Sequence, residues 1–207
     1  MDIDSAAKHF AKTDPIMARL AVTALAKDSG FELPAKRPAD LYFRSLLSSI
    51  VSQQLSTKAA DTIWNRFEAL AGQPTPKNVI TIPHNKLRAV GMSHAKARYV
   101  LGLADDVAAG RLKLDDIDKL DDEAVIGRLV SVKGIGRWSA EMFLMFTLAR
   151  PDVFSLGDLG LLRSVEELYG RPGITPVELD TLSRAWAPHR TSAALLLWHS
   201  RDNKPKV

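Results

Sequence analysis

A short glycine turn, Gly134-Ile135-Gly136, separates two apolar helical runs and constrains this chain more than any other feature. Glycine reaches backbone angles that other residues rarely adopt, and it lets a second group approach the backbone closely. The first N–H groups of the helix that follows have no partners within that helix. Such a turn suits an anion, and phosphate is the obvious candidate. The turn therefore predicts a class of ligand before it predicts a fold.

The chain contains no cysteine, and this absence excludes whole classes of site. Disulfides, zinc thiolate sites and cysteine-ligated iron–sulfur clusters all need thiol groups. The five histidines, at positions 9, 84, 94, 189 and 199, form no metal-ligand spacing. A chain of 207 residues with 46% hydrophobic and 25% charged residues has the composition of a globular protein. We therefore expect one domain or two small ones, with no required cofactor and no iron–sulfur cluster.

The charges are distributed unevenly along the chain. Residues 105–123 hold eight acids and three bases, and the remaining residues hold 16 acids and 25 bases. This balance fits a polyanionic partner with the acidic segment turned away from it. For that segment alone, a solvated acidic face is an equally good interpretation.

No apolar run reaches the ~18 residues of a membrane-spanning helix. The first residues include Asp2 and Asp4, and they resemble neither a signal peptide nor a transit peptide. We therefore expect no membrane association and an intracellular location. In a bacterium this is the cytoplasm or nucleoid, and in a eukaryote it is the nucleus.

Helical signals follow one another along the chain, without a convincing alternating strand. Asp14-Pro15 predicts a helix start and Gly30 its end, while Asp121 is a candidate cap for the helix before the glycine turn. Thr175 and Glu178 have the spacing of a capping box. The sequence predicts an all-α fold of roughly ten helices.

Four segments together resemble the helix-hairpin-helix DNA glycosylase superfamily, and within it the alkylpurine (3-methyladenine) DNA glycosylases. They occur in the family's order at residues 50–60, 132–140, 153–160 and 184–198. The resemblance implies two helical lobes with the active site between them. It places the N-terminal helices (1–40) and the C-terminal helices (155–207) in one lobe. The other lobe, residues 41–154, contains the hairpin.

The resemblance implies that Asp158 is the catalytic residue. Cleavage of an N-glycosidic bond builds positive charge on the sugar, which a carboxylate stabilises while it orients or deprotonates water. The alternative is that Asp158 only caps the helix that begins at Leu159, and the two roles can coexist. Asp152, the nearest other carboxylate, is interpreted as a turn residue.

The resemblance implies that tryptophan side chains recognise the damaged base. Trp138 occupies the position at which bifunctional relatives have a lysine nucleophile, so we expect a monofunctional enzyme. The resemblance places Trp138, Trp198 and Met142 in the base pocket, where an aromatic face attracts a positively charged alkylpurine. Met142 departs from the aromatic residue of one branch. The alternative for Trp138 and Trp198 is a place in the hydrophobic core, which we expect for Trp64 and Trp186.

The polar break at residues 52–56 matches the loop with which the family fills the gap left by a flipped base. We expect Gln53, Gln54 and Leu55 to contact DNA, with either Gln54 or Leu55 entering the base stack. The alternative is an ordinary turn in which a glutamine caps the preceding helix.

The hairpin is expected to hold DNA phosphates through the N–H groups of its two glycines. Other expected contacts come from Lys133, Arg137 and Ser139. Relatives often bind a structural Na⁺ or K⁺ against hairpin carbonyls, which correspond here to those of Val130, Val132 and Ile135.

The sequence thus predicts a monomeric, monofunctional DNA glycosylase for duplex DNA containing alkylated bases. It would excise 3-methyladenine, and by extension 7-methylguanine, by base flipping and hydrolysis of the N-glycosidic bond, leaving an abasic site for base excision repair. The alternatives are a non-catalytic helix-hairpin-helix DNA-binding protein and a glycosylase for a different lesion.

Overall fold

The computed structural model describes residues 1–26 and 30–202, and every regular element within those ranges is helical. The α-helices are α1 (Ile3–Thr13), α2 (Pro15–Ala24), α3 (Tyr42–Ser52), α4 (Thr57–Ala71), α5 (Pro76–Ile80), α6 (His84–Ala89), α7 (His94–Ala108), α8 (Asp122–Val130), α9 (Arg137–Phe146), α10 (Leu159–Tyr169), α11 (Pro176–Ser183) and α12 (Arg190–Asp202). Three short 3-10 helices span Ala39–Leu41, Ile117–Lys119 and Arg184–Trp186. No helix in the described ranges is long and apolar enough to cross a membrane.

The chain divides into two compact units. Unit 1 consists of Met1–Lys36 and Leu144–Val207, and unit 2 consists of Arg37–Phe143. The division between them falls inside α9.

Unit 1 is organised around the buried side chain of Asp14. Its Oδ1 accepts hydrogen bonds from the backbone N–H groups of Ile16 and Met17, and so caps α2. Its Oδ2 accepts from the Tyr169 hydroxyl at 2.6 Å and from the Trp186 indole at 2.8 Å. One carboxylate thus joins α2, the end of α10 and the 3-10 helix at Arg184–Trp186. Trp186 is fully buried, which confirms its expected place in the core.

Unit 2 packs around the apolar face of α3, which contacts α4 and α7. Leu46, Leu47, Ile50 and Val51 of this face are buried. Trp64 of α4 was expected in the core but is half-buried. The Arg44 guanidinium lies 5.3 Å from the centre of its rings.

Side-chain caps set several helix starts where the sequence predicts them. Asp121 caps α8 by accepting from the Ala124 N–H, and Thr175 with Glu178 forms a complete capping box at α11. The predicted end of α2 at Gly30 is wrong. The helix ends at Ala24, where Leu25 N–H bonds to Ala21 O and Ala26 N–H bonds to Thr23 O. Gly30 has φ of +66°, but it lies six residues beyond that end.

Candidate functional site

Asp158 lies at the N-terminus of α10, where the loop before it turns into the helix. Its side chain is only 9% exposed, and its Oδ1 accepts the Leu161 N–H at 2.8 Å. The capping role weighed for this residue is therefore confirmed. A cap fixes the carboxylate against the positive end of a helix, where the helix dipole favours a negative charge. Capping therefore holds an anion in place without preventing it from acting on a substrate.

Trp198 of α12 shares the same oxygen. Its indole Nε1 donates to Asp158 Oδ1 at 3.2 Å. The Ser164 hydroxyl of α10 donates to Gly160 O and to Leu197 O, and so joins α10 to α12 next to this contact. Unit 1 thus brings together two residues that the resemblance assigns to the active site.

Gly160 leaves the space that this pair needs. A Cβ built at this position would lie 3.0 Å from Asp158 Oδ1 and 3.3 Å from Trp198 Nε1. Few real side chains make contacts this short, so any larger residue would push the carboxylate or the indole away. Gly160 was not among the predicted site residues, although it lies in one of the segments that carry the resemblance.

A cavity of about 360 Å³ lies beside Trp198. The Phe146 ring stacks on the indole with centroids 6.1 Å apart and planes inclined by 25°. The residues around the cavity are Gly30, Phe31, Glu32, Phe146, Leu195, Trp198 and His199. Phe146 was not among the predicted site residues, because the apolar run from Trp138 to Leu148 predicts a helix buried on most sides. In the structure Phe146 is exposed.

Asp152, the other candidate carboxylate, is held in an ion pair. Both of its oxygens accept hydrogen bonds from the Arg190 guanidinium, at 2.8 and 2.9 Å, and the Arg190 N–H bonds to it as well. It stands in a turn, as predicted. Its oxygens therefore stabilise the start of α12.

In unit 2, the turn 53–55 is fixed from two sides. The Gln53 side chain donates to Gly134 O at 2.9 Å and to Ser139 Oγ at 3.4 Å. Lys96 Nζ donates to Val51 O at 2.8 Å and to Gln53 O at 2.5 Å. Lys96, and not a glutamine side chain, thus satisfies carbonyls at the end of α3. Burial lowers the pKa of this lysine. Lys96 was not among the predicted site residues, because nothing in its local sequence pattern singles it out.

The tip of the turn is exposed. Gln54 has φ of +58°, a left-handed conformation that is uncommon for a residue other than glycine. Leu55 is 37% exposed. A cavity of about 480 Å³ opens here, and its walls are Ser49, Ser52, Gln53, Gln54, Leu55, Gly136, Trp138 and Ser139. The turn and the hairpin therefore line one surface of unit 2.

The hairpin, residues 131–136, depends on the conformation of Gly134. This glycine has φ of +98°, and a Cβ there would lie 2.8 Å from Tyr99 Cβ and even closer to the ring. In the part of the chain that the structure describes, the N–H groups of Gly134 and Gly136 donate to no acceptor. Two unpaired N–H groups beside an exposed Lys133 are the geometry expected of a phosphate-binding turn.

Two other predicted DNA contacts are already engaged within unit 2. Ser139 is only 5% exposed, and its hydroxyl accepts from Gln53. Arg137 pairs with Glu123 at 2.6 Å and with Glu141 at 3.0 Å. Hydrogen bonding to Arg137 lowers the pKa of Glu123. The DNA contacts of Ser139 and Arg137 stay predictions, and either would require these internal bonds to rearrange.

Trp138 does not belong to the core, because it is 46% exposed. It lies in unit 2 near the start of α9, and Met142, four residues further on, is half-buried. The core alternative is thus wrong for Trp138. It is also wrong for Trp198, which is half-buried beside the cavity. Their contact with a base stays a prediction.

The carbonyls of Val130, at the end of α8, and of Val132 and Ile135 in the hairpin were predicted to hold a monovalent cation. Those of Val130 and Ile135 accept no hydrogen bond within the described residues, and that of Val132 accepts one, from Ile135 N–H at 3.1 Å. Each carbonyl oxygen has two lone pairs, so all three retain capacity for a hard cation. The three carbonyl oxygens are therefore suitable ligands for a Na⁺ or K⁺ ion.

Residues 47–189 match the HhH-GPD superfamily of base excision DNA repair proteins. The chain belongs to this superfamily. The match covers both Asp158 and the hairpin, and it confirms the resemblance predicted from the sequence.

Individual members of the superfamily are similar to this chain in sequence and in structure. Over 162 residues it is 36% identical to DNA-3-methyladenine glycosylase 1 of Schizosaccharomyces pombe, which covers 75% of this chain and 71% of that one. A DNA-3-methyladenine glycosidase from Bacillus halodurans superposes with a TM-score of 0.81 at 37% identity, over 96% of this chain and 89% of the other. The 3-methyladenine DNA glycosylase of S. pombe in complex with abasic DNA gives a TM-score of 0.80 at 31% identity, over 96% and 97%. The predicted all-α fold is confirmed.

Proposed function

We propose that this HhH-GPD protein is a monofunctional DNA glycosylase that removes alkylated purines from duplex DNA. The observation that carries the proposal is the buried Asp158 carboxylate, held by a helix N-terminus and by the Trp198 indole. Similarity to proteins named 3-methyladenine glycosylases supports the substrate class. We extend it to 7-methylguanine, because this base carries the same kind of positive charge.

The reaction begins with the target base out of the duplex, because its glycosidic bond is inaccessible within the stack. Residues of the turn 53–55 fill the gap. Gln54 is the better candidate for the inserted side chain, because it lies at the tip with an uncommon backbone conformation. Such conformations concentrate at functional positions, where the surrounding structure maintains them. The conformation of Gln54 is maintained by its neighbour Gln53, whose side chain is fixed by a hydrogen bond to Gly134 O.

An alkylated purine carries positive charge, and this charge decides how the base is recognised and released. The face of Trp198 attracts a cationic ring more strongly than a neutral one. The charge also makes the purine a good leaving group, so a strong general acid is not needed. As the C1′–N bond breaks, its electron pair leaves with the base and positive charge develops on the sugar.

Asp158 acts on the sugar. Its carboxylate stabilises the developing charge and orients a water molecule. The water oxygen forms a bond to C1′ as the bond to the base breaks, and its proton passes to the Asp158 carboxylate. Trp138 stands where a lysine would attack the sugar in bifunctional relatives, and an indole cannot form a Schiff base. The products are the free base and an intact strand with an abasic site, the substrate of the next step of base excision repair.

Duplex DNA is held by the Gly134 and Gly136 N–H groups and by Lys133. A Na⁺ or K⁺ ion held by the carbonyls of Val130, Val132 and Ile135 would add positive charge beside the phosphates. We propose that the protein works as a monomer, in the compartment that contains the DNA.

The test is base release from methylated duplex DNA by the wild type and by Asp158→Asn, followed by heating in alkali to cut abasic sites. We expect 3-methyladenine release by the wild type, strand cuts only after alkali, and severe loss of release in the variant. Binding of this DNA without release of any base would favour the non-catalytic DNA-binding alternative. Release of a different base would favour a glycosylase for another lesion.

A further inference from the structure

The cavity beside Trp198 has a wall that comes from the segment following α2. Phe31 and Glu32, both from this segment, line the cavity. The Phe31 ring contacts the imidazole of His199 edge-on, with centroids 5.3 Å apart and planes inclined by 77°. This contact holds the segment against α12 at the residue after Trp198. It therefore brings Glu32, the residue after Phe31, beside the same cavity.

Aromatic rings line the cavity from three positions in the chain, at Phe31, Phe146 and Trp198. Phe146 and Trp198 are stacked on each other, so two of these rings act as one aromatic wall. The electron-rich face of an aromatic ring attracts a cation, and groups of such rings bind alkylated ammonium ligands. The volume of about 360 Å³ lies within the range of about 300–1,000 Å³ that is usual for small-molecule sites. The volume and the lining thus suit a positively charged ligand of the size of a purine.

Glu32 supplies negative charge at this cavity. Among the described residues that line it, Glu32 is the only acid. Within the described ranges, this carboxylate forms no ion pair with a lysine, arginine or histidine. Its charge is therefore not neutralised by a neighbouring side chain there, and it attracts a cation that enters the cavity. Because Glu32 is exposed, water screens this attraction and keeps it modest.

Trp198 connects the cavity to Asp158. Its indole Nε1 donates to the carboxylate at 3.2 Å, while the same side chain lines the cavity. Both residues and the whole lining of the cavity belong to unit 1. A single side chain thus separates a ligand in the cavity from the carboxylate that acts on the sugar.

We propose that Glu32 is a specificity-determining residue, which together with the aromatic lining selects positively charged alkylpurines over neutral bases. The inference rests on the proposed function, because it concerns the base that this same site accepts. A purine methylated at N3 or N7 in DNA is a cation, so the rings and the carboxylate both attract it. An undamaged purine, or a neutral lesion such as hypoxanthine, gains only the stacking. Selection by charge therefore precedes cleavage of the glycosidic bond.

The test measures the binding of two small probes in which a methyl group replaces the sugar, so that neither has a glycosidic bond to cleave. The 3,9-dimethyladeninium ion is the cationic probe, and 9-methyladenine is its neutral counterpart. Titration followed by NMR gives the dissociation constants. We expect the wild type to prefer the cation, and Glu32→Gln to weaken cation binding about two- to fivefold with little change for the neutral probe. Asp4→Asn is the matched control, because it removes an exposed carboxylate of unit 1 that is not among the residues lining the cavity.

Release of 7-methylguanine from methylated duplex DNA at subsaturating enzyme gives a second readout. Loss of a negative charge favours binding to DNA, so a general electrostatic effect predicts faster release by Glu32→Gln, whereas charge selection predicts slower release. The inference is overturned if Glu32→Gln weakens both probes equally, affects the cation no more than Asp4→Asn does, or releases the base as fast as the wild type.

The two proposals fail in different ways. A wild type that prefers the cationic probe but releases no base from methylated DNA refutes the glycosylase and leaves the charge selection standing. Normal base release by a wild type that binds both probes equally refutes the charge selection alone.

Discussion

The indole N–H of Trp198 and the backbone N–H of Leu161 converge on the same oxygen of Asp158, at 3.2 and 2.8 Å. Two donors on one oxygen fix the plane of the carboxylate. Trp198 thus has two separable roles: its ring presents an aromatic face, and its N–H positions the carboxylate.

Trp198→Phe separates these roles, because phenylalanine keeps an aromatic face and lacks the N–H. A hydrogen bond to a charged group contributes about 1.5–3 kcal/mol, so we expect the single-turnover rate of base release to fall about 10- to 100-fold. Affinity for abasic duplex should change little. Trp198→Ala removes the face as well and should lose more activity on cationic than on neutral bases. Equal activity of wild type and Trp198→Phe would mean that the indole N–H has no positioning role.

Gly160→Ala tests the Asp158–Trp198 pair by crowding both side chains. The added methyl group would lie 3.0 Å from Asp158 Oδ1, so the carboxylate must move by a few tenths of an ångström. We expect about a tenfold lower single-turnover rate, since misplacement of catalytic groups is costly even at small displacements. Gly157→Ala is the control, because a Cβ there has nothing within 4 Å. If both variants cleave at the same rate, the Asp158–Trp198 pair tolerates crowding.

Local chemistry made part of this site predictable. Helix caps depend on residues next to one another in the chain, so Asp121, Thr175 and the capping role of Asp158 could be predicted from short segments. The absence of cysteine likewise excluded thiolate sites, and the glycine turn indicated an anion-binding site. These signals need no knowledge of which helices meet.

Long-range packing explains what the sequence could not predict. Trp198 and Asp158 are 40 residues apart, and their shared oxygen depends on how α10 packs on α12. Lys96 is 43 residues from the Gln53 carbonyl that it binds. Gln53 was predicted to contact DNA, but its amide nitrogen bonds to Gly134 O, and its DNA contact stays a prediction. Polar side chains with several possible partners are assigned only by the tertiary fold.

Gln54 and Leu55 can be distinguished by their effect on base flipping. We expect Gln54→Ala to reduce flipping at least tenfold and Leu55→Ala to have a smaller effect, because Gln54 holds the left-handed position at the tip. The measurement is the fluorescence of 2-aminopurine opposite or beside the lesion, which rises when bases unstack. The reverse order of the two variants would make Leu55 the inserted residue.

Lys96→Met tests the support beneath this turn. Methionine retains most of the side-chain length but cannot donate to Val51 O or Gln53 O, which leaves two carbonyls without this donor. We expect the free energy of unfolding to fall by about 1–3 kcal/mol, and the flipping signal to fall with it. Urea denaturation measures the first effect. Lys77→Met, an exposed lysine of the same unit, is the control and should change the free energy by less than about 0.5 kcal/mol.

Tyr169 should make the stability of unit 1 depend on pH in the alkaline range. Burial, together with its hydrogen bond to Asp14, raises the pKa of the Tyr169 hydroxyl. Above the ordinary tyrosine pKa of about 10, the unfolded chain loses this proton while the folded chain keeps it, so the free energy of unfolding falls as pH rises. Tyr169→Phe removes the titrating group and should flatten this decline, although the variant loses the hydrogen bond at neutral pH. The measurement is urea denaturation at pH values from about 8 to 11. An equally steep decline in Tyr169→Phe would assign the alkaline loss to other groups.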